Sequence, residues 1–188
     1  MMNGFVKDWE DSFENVLPDG SELREEWPSR WTRFHALPNS KTLAHNELET
    51  AEILRRANTF GNVLFTTGER IWVASCHWLA SGDRPNPEVI TPAGVSMALC
   101  KEWLLPEEYF EIPSVPVYAA LVYWAEGTFD GLFQQAAEDR GNAVFFSPDT
   151  GRALAPYCGG FDLFADSATL LMLERDHRDW MSKREDKL

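Results

Sequence analysis

Asp162 stands between Phe161 and Leu163 in the stretch Asn142–Ala165, NAVFFSPDTGRALAPYCGGFDLFA. A charged side chain inside an apolar strand breaks the local folding pattern, and such breaks concentrate at functional or strained positions. Three readings of Asp162 stay open. Strand side chains alternate between faces, so it can point outward while Phe161 and Leu163 point in. It can accept from the N–H groups of the Gly159-Gly160 bend. Or it can be a functional carboxylate beside Tyr157 and Arg152. A buried carboxylate needs a partner, and Arg152 on the neighbouring strand is the expected one. His35 completes this candidate polar set. Trp72 and Trp78 share one face of a predicted strand, and with Trp103 they make a candidate pocket or partner surface, since aromatics are enriched at interfaces.

Other chemistries lack their residue patterns. His35, His45, His77 and His177 are isolated, and Cys76-His77 are strand neighbours that point to opposite faces. No metal site is expected. There is no GxSxG, phosphate-binding loop or GxGxxG motif, so no cofactor is expected either. A Cys–His nucleophile pair would meet only in space. Cys76 reads as a small buried hydrophobe, and Cys158 is the cysteine in a turn.

These residues need elements to hold them. Ser147-Pro-Asp-Thr-Gly151 has turn chemistry, with proline where φ is near −65° and glycine where φ turns positive. Gly159-Gly160 makes a second bend. The segment therefore reads strand, turn, strand, turn, strand. Phe5, Trp9, Phe13 and Val16 fall on one helical face. Trp31–Leu37 alternates as a strand. Asn46 caps a helix with Glu49 in the capping-box position, and Ile53, Leu54, Ala57, Phe60 and Leu64 form its stripe, with Arg55 and Arg56 off it. Arg70–Leu79 is a strand. Residues 81–116 hold six of the eleven prolines. They read as an ordered excursion with a short helix or turn near Ala93–Trp103, too proline-rich for a central strand. Val117–Ala125 is a central strand. Thr128 caps a helix bearing Phe129, Leu132, Phe133, Ala136 and Ala137. Asp166 or Ser167 caps a last helix with Leu170, Leu173, His177, Trp180 and Met181 on one side.

The expected fold is α+β: one domain over 1–188, a mostly antiparallel sheet of five to seven strands, and helices packed mainly on one face. The 142–165 hairpin is expected beside the 117–125 strand. A chain of 188 residues buries a core without disulfides, and three widely spaced cysteines fit a reducing cytoplasm. No run of apolar residues is long enough to span a membrane, and the acidic N-terminus does not read as a secretory signal. The net charge is −13, with 17 basic residues against 30 acidic. No half of the chain is basic, so a nucleic acid is not the expected partner; a basic protein is.

The stretches RFHALPNSK (33–41), EILRRANT (52–59), FFSPDTGRALAPYCGGFDLFAD (145–166) and HRDWMS (177–182) resemble a group of uncharacterised bacterial cytosolic proteins. The likeness covers roughly 27–182. Where the group has Tyr-Asp-Gly-Gly, this chain has Tyr157-Cys158-Gly159-Gly160, so no role resting on that acid carries over. The resemblance implies a bacterial cytoplasmic setting and no particular chemistry. Three function classes follow. The first is a non-catalytic acidic protein-binding domain of the toxin-neutralising, immunity-like kind. The second is an enzyme with a dispersed site around Asp162, Tyr157, Arg152 and His35. The third is a structural subunit of an assembly.

Overall fold

The computed structural model describes residues 2–77, 87–105 and 114–184, with side chains from residue 4 onward. The chain is α+β. Its elements are α1 (Met2–Phe13), α2 (Gly20–Glu26), β1 (Trp31–His35), α3 (Glu47–Leu64), β2 (Arg70–Cys76), β3 (Val89–Ile90), β4 (Met97–Leu104), β5 (Ser114–Tyr123), α4 (Asp130–Ala137), β6 (Val144–Phe146), β7 (Ala153–Tyr157), β8 (Gly160–Phe164) and α5 (Ser167–Asp176). The eight strands form one antiparallel sheet in the order β1-β8-β7-β6-β2-β5-β4-β3.

Among the described residues the sheet has eight strands rather than five to seven, because part of the proline-rich excursion pairs. Of the short helix or turn expected near Ala93–Trp103, only a 3-10 turn over Pro92–Gly94 forms; from Met97 onward β4 runs along β5 with a bulge between Leu99 and Lys101. Pro116 sits inside β5 opposite Glu102. The 142–165 segment does fold as two hairpins, but β6 borders β2, and β2 separates it from β5.

Local rules place the helices. Asn46 Oδ1 accepts from the Glu49 N–H at the start of α3, and Asp166 Oδ1 accepts from the Thr169 N–H at the start of α5. Thr128 does not cap α4; Phe129 occupies that position without a side-chain bond. The last helix is shorter than expected. α5 stops at Asp176, and Trp180 lies in a separate 3-10 turn over Arg178–Trp180. The charged segment 20–26, for which no element was expected, is α2, with Asp19 as its cap.

Both faces of the sheet are covered, so the expectation of helices mainly on one face needs correcting. α3, α4 and α5 pack Phe60, Phe133 and Leu173 against Phe34, Val73, Phe145, Leu154, Phe161 and Leu163. On the other face α1 and α2 bring Phe5, Trp9, Phe13 and Leu23 against Trp72, Phe146, Ala155 and Phe164. This second layer decides the environment of Asp162.

Candidate functional site: a buried arginine clamp at Asp162

Asp162 lies in the middle of β8, opposite Arg33 of β1 on one side and Ala155 of β7 on the other. Alternation turns it away from Phe161 and Leu163, as expected, but that face is roofed by α2. A Cβ placed on Gly20 would lie 2.9 Å from Ala155 Cβ and 3.7 Å from Asp162 Oδ2, so α2 rests directly on β7 and β8. Asp162 is consequently 3% exposed rather than outward-facing.

Its partner is Arg33. The Arg33 Nε–H donates to Oδ1 at 2.7 Å and Nη2 donates to Oδ2 at 2.8 Å, a bidentate pair. The Trp31 indole N–H adds a third bond to Oδ1 at 2.7 Å. Arg24 of α2 approaches Oδ2 with Nη1 at 3.8 Å. The Arg33 guanidinium lies 4.4 Å from the Tyr157 ring centre and 5.6 Å from that of Trp31, within cation–π range of both. Burial works against the Arg33 charge, but the Asp162 hydrogen bonds and charge outweigh it and raise its pKa. Tyr157 is pushed up to about 12, by burial first, with Arg33 opposing.

The glycines belong to the same construction. Gly159 takes φ +106 in the turn joining β7 to β8. A Cβ on Gly160 would collide with the Phe34 carbonyl oxygen and lie 2.6 Å from the Tyr157 hydroxyl. Tyr157 occupies the space that a side chain at 160 would need. The Tyr-x-Gly-Gly-x-Asp pattern is thus a hairpin shaped to hold one arginine. The bend's N–H groups do not serve Asp162; the Gly159 carbonyl instead accepts from the Ala36 N–H at 2.8 Å.

The remaining expected residues lie elsewhere. Arg152 pairs with Asp166 Oδ2 at 2.9 Å and with Thr169 Oγ1 at 3.0 Å, not with Asp162. Asp166 is lowered to about 2, chiefly by the Thr169 backbone and side-chain hydrogen bonds. His35 ends β1 opposite Gly160, and its Nε2 is 3.0 Å from Ser40 Oγ. Burial, then Arg33 and Arg56, lower its pKa. Trp103 is buried and donates to the Asn15 carbonyl, while Trp72 donates to Asp8. Trp78 lies outside the described residues.

A second arginine centre sits on the opposite face. Arg56 was expected off the buried stripe of α3, yet it is 3% exposed. It donates to Glu52 and to the His35 carbonyl, and lies 4.7 Å from the Trp180 ring centre. Arg55 flanks the same ring at 4.9 Å, and His177 stacks on it at 4.3 Å. Glu52 is lowered to about 2, first by its hydrogen bond from Arg55. The stretches around Arg33, Arg56, Tyr157 and Trp180 therefore meet at β1 from both sides of the sheet.

Arg33, Trp31 and Arg24 were missed from sequence, although Trp31 and Arg33 share a strand face by simple alternation. Both Asp162 oxygens are engaged, and Tyr157 holds its proton. Burial raises the Cys76 and Cys158 thiols. Among the described residues no three His, Cys, Asp or Glu side chains converge to hold a metal, and no helix is long and apolar enough to cross a membrane.

A family model described as a domain of unknown function, DUF3885, matches residues 20–185. The chain belongs to the DUF3885 family. The matched DUF3885 span takes in α2 and both arginine centres, while α1 precedes it. No curated protein and no solved structure matches the chain.

Proposed function

We propose that this DUF3885 chain is a non-catalytic binding domain that docks a basic protein partner on its α1/α2 face. A bacterial cytoplasm and a toxin-neutralising role of the immunity type belong to the same proposal. The observation that carries it is the groove between the end of α1, α2 and β4, about 420 Å³, where Glu14, Glu22 and Glu26 face Val16, Trp103 and Leu104. Leu104 is 79% exposed. Burial raises the Glu22 pKa, and the nearby charges of Asp19, Glu25 and Glu26 raise it further. A basic side chain entering the groove relieves that repulsion while its partner covers Leu104. The first thirty residues carry eight carboxylates against three basic side chains, which suits electrostatic steering of a basic partner. The closed pairing at Asp162 favours binding over catalysis.

A low-salt pull-down from the native host tests this. A basic protein retained by the wild-type chain and released by Glu14→Gln/Glu22→Gln/Glu26→Gln supports the reading. Absence of any basic protein, or equal retention by the variant, defeats it.

A further inference from the structure

The cavity beside the clamp, about 210 Å³, lies between α2 and the β7–β8 hairpin and is lined in part by Arg24, Arg33, Tyr157, Ser21, Asp19 and Asp162. It is smaller than the roughly 300–1,000 Å³ of sites for drug-sized ligands, so it suits a single small group. Its hydrogen-bonding groups are unevenly used. Asp162 takes three short bonds on its two oxygens, and Asp19 accepts through Oδ1 from both the Ser21 backbone N–H and the Ser21 hydroxyl. Donors remain. Arg33, 9% exposed, uses only Nε and Nη2 on Asp162, which leaves Nη1. The Tyr157 hydroxyl has no hydrogen-bond partner among the described residues, and its proton stays in place to donate. Arg24 makes one long contact to Asp162 at 3.8 Å. The two guanidiniums are balanced by the Asp162 and Asp19 carboxylates, and the hydrogen-bonding groups left without a close partner are mainly the donors of Arg24, Arg33 and Tyr157.

The geometry points to a binding site for a small oxyanion, a carboxylate or phosphoryl group, held between Arg24 and the free edge of Arg33 with the Tyr157 hydroxyl as a third donor. The planar guanidinium suits either group, because both present paired oxygens. Arg24 comes from α2, so a bound oxyanion pins α2 to the sheet. The site is separate from the acidic groove and goes beyond the partner-binding reading.

Titration with inorganic phosphate and, separately, with acetate decides it. The readout is the Trp31 indole N–H and Arg33 Nε–H signals in nitrogen-15 spectra, with sodium chloride as the ionic-strength control. The proposal expects saturable shifts that chloride does not reproduce, and binding at least about tenfold weaker in Arg24→Gln, the scale of one charge-assisted bond. Saturation by phosphate alone assigns a phosphoryl ligand, by acetate alone a carboxylate, and by both either group. Tyr157→Phe removes only the hydroxyl and repeats the comparison should Arg24→Gln disturb the fold. Shifts that never saturate, that chloride matches, or that the variants leave unchanged overturn the site. Loss of the basic partner would not alter this titration, so the two readings fail independently.

Discussion

Strand alternation turns Asp162 away from Phe161 and Leu163, and α2 then closes over it, so the carboxylate is buried with a guanidinium instead of meeting water. A buried pair of this kind adds little over a well-packed apolar one, yet removing one partner strands a charge. Asp162→Leu is expected to cost about 3–5 kcal/mol. The double variant Arg33→Met/Asp162→Leu is expected to recover much of that loss. Denaturant unfolding of the four-member cycle measures it, and additive single effects would show that the two groups are not coupled. Sequence made Asp162 conspicuous but not its partner. Arg152 is near in the chain, and Asp166 and Thr169 take it instead; Arg33 is 129 positions away and is brought in only by the β1–β8 register.

At the scale of elements, whatever obeys a short-range rule was legible. The Phe5/Trp9/Phe13 face, the Asn46 and Asp166 caps, the turn at 147–151 and the bend read at Gly159-Gly160 depend on neighbours within a few residues. What depended on distant chain was not. α2 buries only Leu23 and leaves almost no periodic stripe, so no helix was expected there. β4 is mostly half-exposed and bulged, which blurs alternation. Strand order follows from which strands meet after collapse, so placing β6 beside β5 failed. The second arginine centre ties α3 to the 3-10 turn through Glu52, Arg55, Arg56 and Trp180, and it predicts a pH dependence. Glu52 falls from 4.5 to about 2 on folding. A depressed carboxyl stabilises the fold fully above its unfolded pKa, and this contribution fades as pH drops from about 4.5 towards 2. Glu52→Gln should lower stability at neutral pH and flatten the decline over that acid range. Parallel acid unfolding curves for the two proteins would remove Glu52 from the account.

For the whole molecule, charge is distributed with a purpose under the proposed function. The chain carries −13 overall, yet its basic side chains at Arg33 and Arg56 are buried in clamps, while α1 and α2 present carboxylates around an apolar groove. Net charge was readable from composition; that Glu14, Glu22 and Glu26 line one groove with Trp103 and Leu104 was not, because α2 and β4 were unseen. The affinity of the retained basic partner, measured against salt for the wild-type chain, Glu22→Gln/Glu26→Gln and Arg24→Gln, tests this most directly. The account predicts that binding falls steeply with salt, weakens by at least about tenfold in the glutamine pair, and is unchanged in Arg24→Gln. Equal affinity for the wild-type chain and the glutamine pair, or binding indifferent to salt, would contradict it.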